Sequence, residues 1–82
     1  MFTSAFCEPC LQTKGVVAEA GRLIPDATVR EFDVVRFEEL AQSAGIRSTP
    51  TVVVLDADGH EVFRAEGVPT LAQVLVAAAK AV

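Results

Sequence analysis

Cys7 and Cys10, the only two cysteines of this 82-residue chain, lie three positions apart in the stretch "FCEPC" near its start. Such a pair can be half of a metal site, a short disulfide or a reactive dithiol. A zinc site needs four ligands, and a disulfide that closes so short a loop constrains the unfolded chain very little. The rest of the sequence therefore has to distinguish these three kinds of chemistry.

The composition predicts a single folded domain over residues 1–82. Apolar residues make up 51% of the chain, charged residues make up 22%, and there is no repeat or low-complexity tract.

A net charge of −4, with seven scattered Lys and Arg, argues against a nucleic-acid surface. The chain has neither a secretory signal pattern nor a long apolar segment. We expect a cytoplasmic monomer without membrane or nucleic-acid partners, and in that compartment a Cys-x-x-Cys pair is more often redox-active or metal-binding than a permanent bridge.

Hydrophobic periodicity predicts three helices. The first begins at the cysteines and ends at Pro25, the second has Gly45 as its left-handed end, and the third begins at Thr70, which with Gln73 resembles a capping box. The apolar faces of these helices consist of Val16, Val17, Ala20, Leu23 and Ile24, then Phe37, Leu40, Ala41 and Ala44, then Leu71, Val74, Leu75 and Ala78.

Four strands complete the prediction. They are a short strand over residues 1–4, the stretch "ATVREFDV", the apolar run "PTVVVLD" and the stretch after the Asp58-Gly59 turn. The third strand is predicted to be covered on both faces because its apolar run is continuous. The order β-α-β-α-β-β-α predicts a four-stranded mixed α/β sheet of order 2-1-3-4, with helices on both faces and the first three strands parallel. The cysteines then follow the carboxyl end of a central strand, where ligand and catalytic sites are common in such sheets.

With "FCEPC" at a strand-to-helix turn, "GIRSTPT" before the third strand and "DADGHEVFRAEG" as the final hairpin, the chain resembles the thioredoxin family over essentially its whole length. It is most similar to the small, glutaredoxin-sized members. The resemblance implies a thioredoxin-like fold and a thiol-disulfide oxidoreductase that acts on protein disulfides. It implies no cofactor other than the redox-active Cys7–Cys10 disulfide, and a thioredoxin-reductase-type electron donor.

Within this family the two cysteines have different roles. Cys7 at the exposed helix start is the attacking thiolate, stabilised by unpaired N–H groups and the helix dipole, while the more buried Cys10 resolves the mixed disulfide. Phe6, Glu8 and Pro9 form the rest of the active-site loop, and Pro9 suits the first helical turn.

The resemblance also assigns a role to the distant stretch "STPT". Pro50 is expected to be a cis proline beside the cysteines, and Thr49 is expected to offer backbone groups to an extended substrate segment. No metal site is predicted. His60 is expected to be an exposed turn residue, and Lys14 a solvated helix residue.

Several positions depart from the family pattern. Phe6 stands where many thioredoxins have Trp, and Met1 stands where they have a buried Asp that assists the second cysteine. Glu31 is a weak candidate for that acid, so resolution by Cys10 is expected to depend on water or on Glu8. The stretch "EGVPT" lacks the Gly-Gly and acid motif of a glutaredoxin, so a dedicated glutathione site is not expected.

A second interpretation of the sequence stays open. The same fold could be a redox-sensing or metal-binding interaction module, in which the cysteine pair does not turn over.

Overall fold

All 82 residues are described by a computed structural model of the protein. The element order is the predicted β-α-β-α-β-β-α. The elements are β1 Phe2–Thr3, α1 Glu8–Leu23, β2 Phe32–Asp33, α2 Glu38–Ser43, β3 Thr51–Leu55, β4 Glu61–Glu66 and α3 Leu71–Ala81. None of the three helices combines the length and the hydropathy that a membrane-spanning segment needs.

The four strands form one mixed sheet in the predicted order β2-β1-β3-β4. β1 runs parallel to β2, and β3 and β4 form the predicted antiparallel hairpin. The predicted direction of β3 is wrong, because β3 runs antiparallel to β1, with Phe2 opposite Thr51.

The short α2 is compatible with this direction. A parallel crossover must carry the chain back along the neighbouring strand, which for the five residues of β3 is about 17 Å. With six residues, α2 is only about 9 Å long. In the observed arrangement the chain enters β3 at the end of the sheet where β2 finished, which is also the end where the cysteines follow β1.

Helices cover both faces of the sheet, as predicted. α1 and α3 pack against each other on one face, where Val17, Ala20, Val52, Val74 and Ala78 are buried. On the other face, the ring of Phe2 lies 5.6 Å from that of Phe32, and Phe32 lies 5.1 Å from Phe37 at the start of α2. Successive strand residues point to opposite faces, so the neighbouring Thr3 points to the α1 side.

The α2 face is covered over only part of β3. Thr51, Val53 and Leu55 share this face, and they change from fully buried to half-buried to 53% exposed along the strand. The prediction that β3 is covered on both faces therefore holds only at its first residues. A six-residue helix is too short to cover the rest.

β2 is much shorter than the stretch "ATVREFDV" predicts. β1 has only two residues, so its backbone pairs with no more than a few positions of the neighbouring strand. The amides of Phe32 and Val34 donate to the carbonyls of Met1 and Thr3, and the carboxylate of Asp33 then accepts from the amides of Val35 and Arg36. These two bonds to the Asp33 side chain turn the chain out of the sheet immediately after the ladder ends.

The local signals at the turns and helix ends are confirmed. Gly45 ends α2 with φ +68°, and Gly59 turns the hairpin with φ +85°. The hydroxyl of Thr70 accepts from the amide of Gln73 at 3.1 Å, and the Gln73 side chain accepts from the amide of Thr70 at 2.9 Å. These two bonds form the predicted capping box.

Replacing Thr70 with Ala should lower the free energy of unfolding by about 1 kcal/mol, because the first turn of α3 loses its side-chain acceptor. Urea denaturation followed by circular dichroism measures this loss. Thr28→Ala is the matched control, since Thr28 is exposed in a loop and its hydroxyl makes no hydrogen bond. Equal stability of the two variants would contradict a stabilising cap at Thr70.

Candidate active site

The two cysteines form a disulfide at the junction of β1 and α1. Cys7 is the N-cap of α1 and has extended backbone angles, while Cys10 lies in the first helical turn. Cys7 is half-buried, whereas only 2% of Cys10 is exposed. Cys7 is thus the more exposed cysteine of the pair, and Cys10 is covered.

The Sγ atom of Cys7 is held at the helix start by a backbone donor. It accepts a hydrogen bond from the amide of Cys10 at 3.1 Å. The amides of a first helical turn have no partner within the helix, and together with the helix dipole they favour negative charge at this position. Once the disulfide is reduced, the same donor is available to a Cys7 thiolate.

Phe6 immediately precedes this turn and points into solvent. Its side chain is fully exposed, and its φ of 54° makes it the one residue other than glycine in the left-handed region. Bulky residues rarely adopt this conformation, and those that do cluster at functional sites. The backbone of the turn thus presents a large apolar side chain to solvent next to the more exposed cysteine.

The other two residues of the predicted loop lie in the first turn of α1. Glu8 is exposed and forms no ion pair, and Pro9 follows it. The carbonyl of Pro9 accepts a hydrogen bond from the hydroxyl of Thr13 at 2.9 Å, and Thr13 is completely buried. Thr13 therefore ties the turn that carries the cysteines to the buried face of the helix.

Thr49 and Pro50 lie at the same end of the sheet, because β3 begins beside the end of β1. The Thr49-Pro50 peptide bond is cis, as the family resemblance implies. Pro50 is buried, and its carbonyl accepts from the amide of Gly67 at 2.9 Å. The hydroxyls of Ser4 and Thr49 are 2.7 Å apart and form a hydrogen bond between the two loops.

The backbone of Thr49 is free in this arrangement. Neither its N–H nor its C=O makes a hydrogen bond within the protein. Unpaired backbone groups of this kind can pair with an extended peptide, as at the edge of a sheet.

The polar groups between α1 and β1 differ from the family pattern. The hydroxyl of the buried Thr3 donates to Glu31 at 2.9 Å, and the Nζ atom of Lys14 pairs with the same carboxylate at 3.1 Å. Lys14 is thus an ion-pair partner rather than a purely solvated residue. The Glu31 side chain is 42% exposed, so Glu31 does not reproduce a buried acid.

Sequence reasoning missed Ser4 and Thr13. Both are small hydroxyl residues, whose usual place is a turn or a surface. The only available signal was their spacing from the cysteines, since Thr13 is one helical turn after Cys10. Their role becomes visible only through the bonds from Ser4 to Thr49 and from Thr13 to Pro9.

The opposite end of the sheet carries different features. His60 is exposed in the hairpin turn, as predicted, and its amide donates to the carboxylate of Asp56. The same carboxylate oxygen also accepts from the amide of Asp58, so Asp56 organises the turn.

A cavity of about 1020 Å³ is lined mainly by the sheet, the 26–30 loop and the end of α3, and neither cysteine lines it.

Comparison with known proteins agrees with this geometry. A family model described as a thioredoxin-like domain matches residues 1–81. Among solved structures, the chain is similar to the germline-specific thioredoxin Deadhead (Thioredoxin-1) from Drosophila melanogaster, with 29% sequence identity and a TM-score of 0.82. The match covers 99% of this chain and 76% of that one, and a search of curated proteins finds no match. With a matching family model over nearly all of its length, and with its Cys-x-x-Cys pair at the start of a helix, the chain belongs to the thioredoxin-like domain family.

Proposed function

We propose that the protein is a thiol-disulfide oxidoreductase that uses the Cys7/Cys10 dithiol to reduce or exchange disulfides in protein substrates. One observation carries the proposal. The Cys7–Cys10 disulfide is at a helix start, with the sulfur of the more exposed Cys7 held by a backbone amide and the free backbone of Thr49 nearby.

In the first step, the reduced protein attacks the substrate through the Cys7 thiolate. A bond forms between the Cys7 sulfur and one substrate sulfur, the substrate disulfide breaks, and the departing substrate thiolate takes up a proton. The helix start favours this step because the Cys10 amide and the helix dipole stabilise the attacking thiolate.

In the second step, Cys10 resolves the mixed disulfide. Cys10 loses its proton and attacks the Cys7 sulfur, the Cys7–Cys10 disulfide forms, and the second substrate thiolate departs and takes up a proton. Two electrons have then passed from the dithiol to the substrate. The low exposure of Cys10 protects the second thiol from side reactions until the mixed disulfide forms beside it.

Substrate binding in this proposal uses a surface rather than a deep pocket. An extended substrate segment pairs with the free N–H and C=O of Thr49, while the exposed ring of Phe6 contacts apolar side chains of the substrate. These features favour a polypeptide over a small disulfide. An electron donor of the thioredoxin-reductase type in the cytoplasm would return two electrons and two protons to the protein.

Reduction of insulin disulfides by dithiothreitol should be accelerated by the wild-type protein, and Cys7→Ser should abolish the acceleration. When reduced Cys10→Ser is freed of dithiothreitol and mixed with insulin, it should accumulate a covalent mixed disulfide, detectable by mass spectrometry, because no resolving thiol remains. Metal analysis of the purified protein tests the alternative function, a metal-binding interaction module that does not turn over. An inactive wild-type protein with one metal ion bound per chain would support that module and contradict the enzyme.

In the reduced protein, iodoacetamide should modify Cys7 well before Cys10 near neutral pH. Cys7 is the more exposed cysteine and has a backbone donor for its thiolate, whereas Cys10 is 2% exposed. Peptide mapping after brief labelling measures the order. Earlier labelling of Cys10 would reverse the assigned roles.

Glu8→Gln should make the Cys7–Cys10 couple a slightly stronger oxidant. Glu8 is the exposed residue that follows Cys7 in the chain. A carboxylate charge several ångströms from the Cys7 thiolate, in a largely solvated site, destabilises that thiolate by about 0.5 to 1 kcal/mol. Its removal stabilises the reduced form and should raise the potential by about 10 to 20 mV in this two-electron exchange.

Equilibration with glutathione measures this shift. Asp58→Asn is the matched control, because it removes the same charge from the exposed hairpin turn at the other end of the sheet. An unchanged or more negative potential for Glu8→Gln would leave Glu8 as a first-turn helix residue without influence on the couple.

A further inference from the structure

We propose that the hydroxyl pair of Ser4 and Thr49 is a positioning contact that holds the substrate-pairing segment against the redox turn. This inference rests on the proposed function. The two oxygens are 2.7 Å apart, both residues are half-buried, and they join chain segments that are 45 positions apart. Neither hydroxyl makes another hydrogen bond within the protein.

The strand register explains why this bond forms. β1 and β3 pair antiparallel with Phe2 opposite Thr51, so the same register sets Ser4 opposite Thr49. Pro50 lies between the two paired positions, and its carbonyl points away from β1 to the amide of Gly67, while no main-chain bond joins Ser4 to Thr49. The hydroxyl pair extends the contact between the two strands by one further step where main-chain pairing stops.

This side-chain bond has a particular consequence for Thr49. A backbone ladder would hold the residue equally well, but it would use the N–H and C=O groups that a substrate needs. The hydroxyl bond restrains Thr49 and leaves both main-chain groups unpaired. The segment is therefore restrained and still able to pair with a substrate, which lowers the cost of ordering it on binding.

The other bonds of this segment lead elsewhere. Arg47 and Ser48 bond to Glu66 at the end of β4, and the carbonyl of Pro50 accepts from Gly67. The Thr51 hydroxyl donates to the carbonyl of Ser48 within the same segment. Among the hydrogen bonds of residues 47–50, the bond to Ser4 is the one that reaches the β1–α1 turn carrying Cys7.

The contact should matter for protein substrates in particular. A peptide paired with Thr49 presents its disulfide to Cys7 at a distance set by the spacing of these two loops, so a looser spacing reduces productive encounters. A small aromatic disulfide such as dithionitrobenzoate has no peptide backbone to pair with Thr49. Neither hydroxyl hydrogen-bonds to a cysteine sulfur, so the reduction potential should not depend on the pair.

The test compares Ser4→Ala, Thr49→Val and the double variant in insulin reduction. Each single variant should lower kcat/KM for insulin by about three- to tenfold, the usual worth of one hydrogen bond, mainly through KM. The double variant should retain about the same kcat/KM as the less active single variant, because both changes break the same bond. Ser4→Thr and Thr49→Ser retain a hydroxyl and should recover most of the activity.

Two further measurements separate positioning from a general structural effect. In Ser4→Ala, the loss for insulin should exceed the loss for dithionitrobenzoate by at least about threefold, and the glutathione-equilibrium potential should stay at its wild-type value. Ser43→Ala, which removes an exposed hydroxyl without a hydrogen-bond partner, is the matched control. If Ser4→Ala does not fold, Thr49→Val breaks the same bond and undergoes the same comparison.

Several outcomes would overturn the inference. They are wild-type insulin reduction by Ser4→Ala, equal losses for insulin and the small disulfide together with a shifted potential, or independent and additive effects of the two single variants. If the wild-type protein itself does not reduce insulin, the proposed function fails as a whole. That result is distinct from an active wild-type protein in which the hydroxyl pair has no effect.

Discussion

The antiparallel pairing of β3 with β1 is the constraint on which the site depends. The backbone ladder between these strands is short, with Phe2 opposite Thr51, yet it decides which end of β3 lies beside the cysteines. A parallel β3 would put Thr49 and Pro50 at the far end of the sheet. With the observed direction, the start of β3 and the end of β1 meet, and two distant parts of the chain form one surface around Cys7.

The second requirement is a helix whose first turn stays fixed at that surface. The buried face of α1 contains Cys10, Thr13, Val17 and Ala20, and α1 packs beside α3 on one face of the sheet. Because Cys10 belongs to this face, the same packing that holds the helix also covers the Cys10 side chain. Cys7 is one helical turn earlier and remains accessible. The difference in exposure between the cysteines is therefore a consequence of core packing and not of the loop alone.

The apolar cover of the molecule is uneven. Only 14 of the 82 residues are buried, and on the α2 face burial decreases from Thr51 to Leu55 as the short helix ends. The cavity of about 1020 Å³ lies at this thinly covered end. By contrast, hydrogen bonds from Ser4, Thr13 and Thr51 tie down the loops at the disulfide end. The order of the site thus comes from specific polar contacts and from α1 packing, rather than from a large surrounding core.

The sequence by itself determined the features whose causes are local. The cysteine pair at a helix start, the left-handed ends at Gly45 and Gly59, and the capping box of Thr70 follow from residue type and spacing within a few positions. Only the tertiary structure decided the direction of β3, the incomplete cover of that strand and the bond between Ser4 and Thr49. An apolar run such as "TVVVL" forms a strand in either direction, and a serine hydroxyl forms whatever bond its neighbour allows. These features depend on how β3 pairs with β1, on how far α2 extends over that strand and on the residue that the register sets opposite, all of which become defined only when distant segments pack together.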